Sequence, residues 1–283
     1  MSRYESSDYQ WLPAEFHVDE DKKVSLKSKI NNLSRNHENT IVPLLEELLE
    51  TCLPELDKCY QFCKNIKFPD GDVGEDEDKK EGVKFDSALE DSLHNKTLQV
   101  MTKIVDYELQ PNQIHPEGAW HVEGMSHENI IATAVTVLKK DDSIEGGNLH
   151  FKRAFTGEEA SEGIYYKVPQ CRQNWVEEAI ESGLIELGHC RLQEYDTVVF
   201  PNSHIHQLSE IRNVSSKETK RRRVVVFWLV NPNKKIISTS HIHNFSNESI
   251  GISKALDHRL KLMEERKKRK QDWNVREISL CEH

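Results

Sequence analysis

The chain lacks any long apolar run. Nowhere in its 283 residues do eighteen apolar side chains follow one another, so no membrane-spanning helix is expected. Its first residues, Met1-Ser2-Arg3-Tyr4-Glu5-Ser6-Ser7-Asp8, have no apolar core of a secretory signal. The expectation is an intracellular protein, cytoplasmic or nuclear, with no membrane partner. Cysteine is scarce: six residues, at 52, 59, 63, 171, 190 and 281, of which only Cys59 and Cys63 stand close together. Without a second such pair or an oxidising compartment, neither a zinc site nor a disulfide framework is expected, and all six read as thiols. Positive charge is in deficit. A net charge of -10 argues against a surface built mainly for nucleic acid, which stays an unfavoured partner through the local run Arg266-Lys267-Lys268-Arg269-Lys270. Apolar residues make up only 36% of the chain and charged residues 30%, but this length still allows a sizeable core.

What is present changes character along the chain. Residues 1–40 are polar with apolar anchors at Trp11, Leu12, Phe16 and Val18, and read as extended chain packed on a larger body. From Ile41 the positions Leu44, Leu45, Leu48, Leu49, Cys52 and Leu53 form a helical stripe with Thr40 as N-cap. Pro54 is expected to end that helix and open a second one to Cys63. Residues 70–82 are acidic. Asp70, Asp72 and Glu81 fit the first, third and twelfth places of a calcium loop, but Glu75 stands where that loop requires glycine. A solvated, disordered segment is the reading.

From residue 97 the chain turns to β. Strands are predicted at 97–109, 129–138, 148–154, 190–192, 197–200, 205–208, 224–230 and 236–239, with a helix at 175–181 and a last amphipathic helix at 254–270. The fold class is α+β, and the many short strands suggest a sandwich or jelly-roll barrel. The chain divides into an N-terminal extended and helical region (1–92), a β core (93–240) and a C-terminal helical tail (241–283), together one structural domain.

The chemistry gathers at Trp120-His121-Val122-Glu123-Gly124-Met125. On a strand, His121 and Glu123 would share a face, and one more histidine would complete a two-histidine, one-carboxylate metal site. The H-x-[D/E] pattern alone is weak, because 14 × 48 / 283, about 2.4, is the chance count and the sequence holds three. His17-Val18-Asp19 precedes the helices, and His115-Pro116-Glu117 carries a proline that disfavours an interior strand. His121-Val122-Glu123 alone follows one predicted strand and precedes others. His204 and His206 are both candidates for the third ligand, delivered by the strand at 197–200. Lys220-Arg221-Arg222-Arg223 opens a strand that reads as fully buried, and Arg222 shares the face of Val224, Val226 and Trp228. A buried arginine needs an anion.

In that order, H-x-E, then Gly146-Gly147-Asn148-Leu149-His150-Phe151, then a distal histidine, then a strand-opening arginine, the chain resembles the Fe(II)/2-oxoglutarate-dependent oxygenases on a double-stranded β-helix. Arg222-x5-Trp228 looks like the cosubstrate-binding strand of prolyl-hydroxylase-like enzymes. More closely, Ser7-Asp8-Tyr9-Gln10-Trp11-Leu12-Pro13, Trp120-His121-Val122-Glu123-Gly124-Met125, Phe200-Pro201-Asn202 with His206, Leu229-Val230-Asn231-Pro232, residues 236–239 and residues 262–266 resemble a mainly fungal eukaryotic family, a domain of unknown function with that fold. The resemblance runs over residues 7–267, with no motif placed at 175–188.

The resemblance implies a double-stranded β-helix core with an N-terminal helical cap and a C-terminal helix. It implies Fe(II) held by His121, Glu123 and His206, and 2-oxoglutarate held by Arg222, or by Arg223 if the assignment shifts by one residue. Oxygen would be the other cosubstrate, and an unidentified substrate would be hydroxylated as 2-oxoglutarate is decarboxylated to succinate. Members of the family often carry more sequence before this region, which implies a short form. Two other readings remain open: an inactive barrel that binds a partner through its helices, and a cupin-like metal protein that does not use 2-oxoglutarate. Neither substrate nor oligomeric state is legible.

Overall fold

A computed structural model describes residues 9–62, 92–153, 185–242 and 251–270. The centre of the fold is an antiparallel six-stranded sheet whose order is β2-β1-β3-β12-β5-β9. It consists of β1 (Ala14–Val18), β2 (Val24–Leu26), β3 (Lys96–Leu109), β5 (Ile130–Lys140), β9 (Thr197–Pro201) and β12 (Lys220–Val230). Strict alternation along β12 sends Val225, Phe227 and Leu229 to one face and Arg222, Val224 and Trp228 to the other. The extended N-terminal segment becomes two added strands, with Phe16 opposite Leu98 in β3.

One face is covered by a helix, α1 (Arg35–Phe62). Leu45, Leu49, Cys52, Leu53, Leu56 and Tyr60 pack onto Ala132, Ala134, Val225 and Phe227. The two alanines at mid-strand let the helix approach closely, and each fully buried aliphatic side chain contributes roughly 1.5–3 kcal/mol. The expected break at Pro54 does not occur: Pro43 and Pro54 both lie inside a single helix that begins before Thr40. Both prolines face solvent, while the buried stripe continues from Leu53 to Leu56 and Tyr60. Burial on the sheet outweighs the local cost of a missing N–H, about 3 kcal/mol. Leu44, counted in the stripe, is instead exposed.

The other face carries two three-stranded sheets, β10-β7-β8 and β4-β11-β6. Their strands are β4 (Ile114–His115), β6 (Ile144–Gly146), β7 (Leu149–Arg153), β8 (Ile185–Cys190), β10 (Ile205–Leu208) and β11 (Ile211–Asn213). Leu149 and Phe151 of β7 pack against Val137, Phe200 and Val224 of the large sheet. Ile144 and Ile211 pack against Leu109. Among the described residues the strands form these three sheets and do not close into a barrel. The architecture is therefore a mixed α/β one of mostly antiparallel sheets, with two α-helices among the described residues.

Residues 236–239 are not a strand. Ile236 is held by the Gln99 side chain, which accepts its N–H and donates to its carbonyl, both at 2.8 Å, and Thr239–His241 forms a 3-10 turn. The last helix, α2 (Ile252–Lys270), forms as expected, and its Leu256, Leu260 and Met263 face solvent. The expected helix at 175–181, the acidic stretch at 70–82 and Cys63 lie outside the described residues. No helix of the described residues is long and apolar enough to cross a membrane.

Candidate metal centre

His121 and Glu123 are not on a regular strand. They belong to an irregular segment laid along the free edge of β10: Gly118 donates its N–H to the Leu208 carbonyl at 2.9 Å, and His121 exchanges both backbone hydrogen bonds with His206. This isolated antiparallel bridge does what the expected strand would have done. It pins the backbone at His121, and although the chain bends at Glu123 the two side chains still meet at one place.

The His206 Nε2 lies 3.3 Å from Glu123 Oε1, and the His121 Nε2 lies 3.8 Å from the same oxygen. The imidazole rings are 4.4 Å apart. One ligand atom from each of the three residues falls within 4.8 Å of the others. The backbone sets the tautomers. His121 Nδ1 faces the Ala119 carbonyl at 2.8 Å and His206 Nδ1 the His204 carbonyl at 3.3 Å. Each carbonyl can only accept, so each Nδ1 carries the proton and each Nε2 lone pair faces the carboxylate. Three acceptors then converge on one point, and a cation between them satisfies all three. Carbonyl-anchored imidazoles of this kind are the usual outer support of metal ligands. Without a cation, doubly protonated imidazoles would hold the carboxylate instead: burial pushes the Glu123 carboxyl pKa up, but His121 and His206, when each also carries a proton on Nε2, outweigh it and hold the group well below the ordinary carboxylate range.

Phe200 and Phe151 wall the site, with ring centroids 4.8 and 6.3 Å from that of His206. His206 itself is buried. His204 sits in the turn before β10, with Nδ1 3.4 Å from its neighbour Ser203, and is not part of the triad. Nor are His17 and His115: among the described residues one cluster alone has metal-ligand spacing.

Arg222 is 1% exposed, on the face of the large sheet that looks toward the small ones. Its Nη2 donates to the Gly147 carbonyl at 3.1 Å, and its guanidinium lies 5.9 Å from the Tyr107 ring. Its Nε has no partner, and among the described residues it makes no ion pair with a carboxylate. Burial pulls its pKa down, with Tyr107 opposing. The neighbouring arginines are committed elsewhere: Arg221 pairs with Glu108 at 2.9 Å, and Arg223 grips both oxygens of Asp106 at 2.6 and 2.7 Å on the exposed side. Gly147 lies two residues before β7 begins at Leu149, and Phe151 of β7 is the cross-strand partner of His206. The buried cation thus touches the segment that leads into the strand paired with His206.

Sequence reasoning missed two supports. Gly147 has φ +70°, and a Cβ there would meet the Arg222 Cζ at 3.1 Å. The doublet Gly146-Gly147 was its visible signal. Asn202, which touches the Glu123 backbone, stood in the Phe200-Pro201-Asn202 motif but with no role assigned to it.

A family profile described as "Protein of unknown function (DUF4246)" matches residues 1–82 and 64–244 of the chain. No curated protein matches it.

Proposed function

The chain belongs to the DUF4246 family, and from that footing we propose that it is an Fe(II)/2-oxoglutarate-dependent dioxygenase that hydroxylates a substrate on a double-stranded β-helix type of core. His121, Glu123 and His206 would hold Fe(II), and Arg222 the far carboxylate of 2-oxoglutarate. When bound, iron would activate O2 as the oxidant, with two electrons coming from 2-oxoglutarate and two from the substrate, one oxygen atom going to the substrate and the other to succinate as CO2 leaves.

The donor set fits the metal. Two neutral imidazoles and one carboxylate on one side of the ion leave its other positions open, as non-haem Fe(II) oxygenases require. The observation that carries the cosubstrate half is Arg222. A buried guanidinium with an unpartnered Nε and, among the described residues, no carboxylate beside it is costly, and a dicarboxylate arriving from the triad's side would relieve it bidentately. The chain's own residues do the rest: the bridge between His121 and His206 fixes the imidazoles, Gly147 admits the guanidinium, and Phe151 and Phe200 exclude water from one side.

The test is anaerobic titration with Fe(II) and 2-oxoglutarate. A visible metal-to-ligand charge-transfer band should appear in the wild type and vanish in His206→Ala, and succinate should accumulate in air. Metal binding that ignores 2-oxoglutarate and Arg222→Ala would mean a cupin-like metal protein instead. A folded protein that binds neither would mean a non-enzymatic binding module.

A further inference from the structure

In an antiparallel ladder, hydrogen-bonded pairs recur every second residue. After the pair His121–His206, the next would join Glu123 to the backbone of His204. That pair cannot form, because the chain turns at 201–204: His204 donates its N–H back to the Pro201 carbonyl at 3.0 Å. The Asn202 side chain takes the vacant place. Its Oδ1 accepts the Glu123 N–H at 2.8 Å, and its Nδ2 donates to the Glu123 carbonyl at 2.9 Å and to the Ile130 carbonyl at 3.0 Å.

An amide that accepts once and donates twice reproduces a peptide partner and uses both amide hydrogens. The reverse orientation would set its oxygen against two carbonyls, so the network fixes which way the amide points. Aspartate has the same shape but only acceptors, and glutamine would carry the amide one methylene too far. Beyond Glu123 the chain is pinned again: the Glu128 carboxylate accepts the N–H of Met125 at 2.7 Å and that of Trp11 at 2.6 Å. Asn202 is thus the hold nearest the carboxylate ligand, and it comes from the same turn that delivers His206.

We propose that Asn202 is a positioning residue of the metal centre: its amide stands in for a missing strand partner and sets where the Glu123 carboxylate meets the two imidazoles. This rests on the metal half of the proposed function and not on the cosubstrate. The carboxylate comes from an irregular segment, so its direction depends on the two backbone bonds that only this side chain supplies.

The experiment measures Mn(II) affinity by the EPR signal of free ion, beside apo-protein melting, for the wild type, Asn202→Ala, Asn202→Asp and His206→Ala. The expected result is a folded Asn202→Ala and a folded Asn202→Asp, each melting a few degrees lower, with Mn(II) bound about 10–100-fold more weakly. Aspartate should be no better than alanine, because size without the two donors is not enough. Affinities within twofold of wild type in both variants, while His206→Ala loses binding, would overturn the assignment and leave the metal centre standing. Failure of both variants to fold would also overturn it, by making Asn202 a support of the fold rather than of the site. Wild-type protein that binds no Mn(II) would overturn the assignment and the metal centre together. Metal binding without any response to 2-oxoglutarate would refute the oxygenase reading alone.

Discussion

His121 and His206 donate to each other's backbone carbonyls at 3.0 and 2.8 Å, and this pair of bonds, 85 residues apart in sequence, brings their rings to 4.4 Å. The bridge decides which histidine can be the third ligand. Side chains directly opposite in an antiparallel pair lie on the same side, so His206 faces the His121–Glu123 pair while His204 remains in the turn. His206→Ala should therefore abolish Mn(II) binding in isothermal titration, and His204→Ala should leave it within a few-fold. Equal losses in the two variants would contradict the assignment.

Arg222 is buried with no carboxylate paired to it among the described residues, which costs folding free energy. Arg222→Met should leave the apo-protein as stable or up to about 2 kcal/mol more stable in urea denaturation, since an apolar side chain of similar length removes an unpaired charge. The same variant should lose 2-oxoglutarate binding. Arg223→Ala is the contrast: its pair with Asp106 is exposed, so the change should stay below about 1 kcal/mol with cosubstrate affinity unaltered.

Gly147→Ala should destabilise the fold by about 1–2 kcal/mol, the cost of an L side chain at φ +70°. It should also weaken 2-oxoglutarate binding, because the new methyl group meets the Arg222 guanidinium. Thermal melting with and without 2-oxoglutarate separates the two effects: the variant should gain less from the ligand than the wild type does.

Pro54 lies within α1 on its solvent side. Pro54→Ala should stabilise the protein by about 1–2 kcal/mol, less than the roughly 3 kcal/mol of a helix-interior proline, because alanine also frees the unfolded chain. A loss of stability would show that the proline fixes a bend the helix needs to follow the sheet.

Cys52 is 1% exposed, and burial pushes its thiol pKa up to about 11, with Thr136 opposing. Native protein should resist iodoacetamide at Cys52 at pH 8 and react only on unfolding, as peptide mapping would show. The sign of the stability effect follows. The folded state prefers the neutral thiol, so its contribution is intact below pH 9 and is lost as pH rises toward 11.

Much of this was legible locally. Alternation places Arg222 with Val224 and Trp228 whatever the tertiary fold, because a strand has only two faces, and the H-x-E spacing holds for any extended chain. Pro54 misled for the same reason: local propensity gave a break, and the buried stripe from Leu53 to Tyr60 supplied the energy to override it.

The sequence by itself determined the spacing of His121 and Glu123, the parity of Arg222 and the β character of the core, since each depends on neighbours within a few residues. The tertiary structure alone decided that His206 rather than His204 completes the triad, that Arg222 rather than Arg223 is buried, and that an asparagine side chain replaces a strand partner of Glu123. Those choices turn on register between segments some 80 residues apart, and register is set by how whole faces pack, which no local pattern encodes.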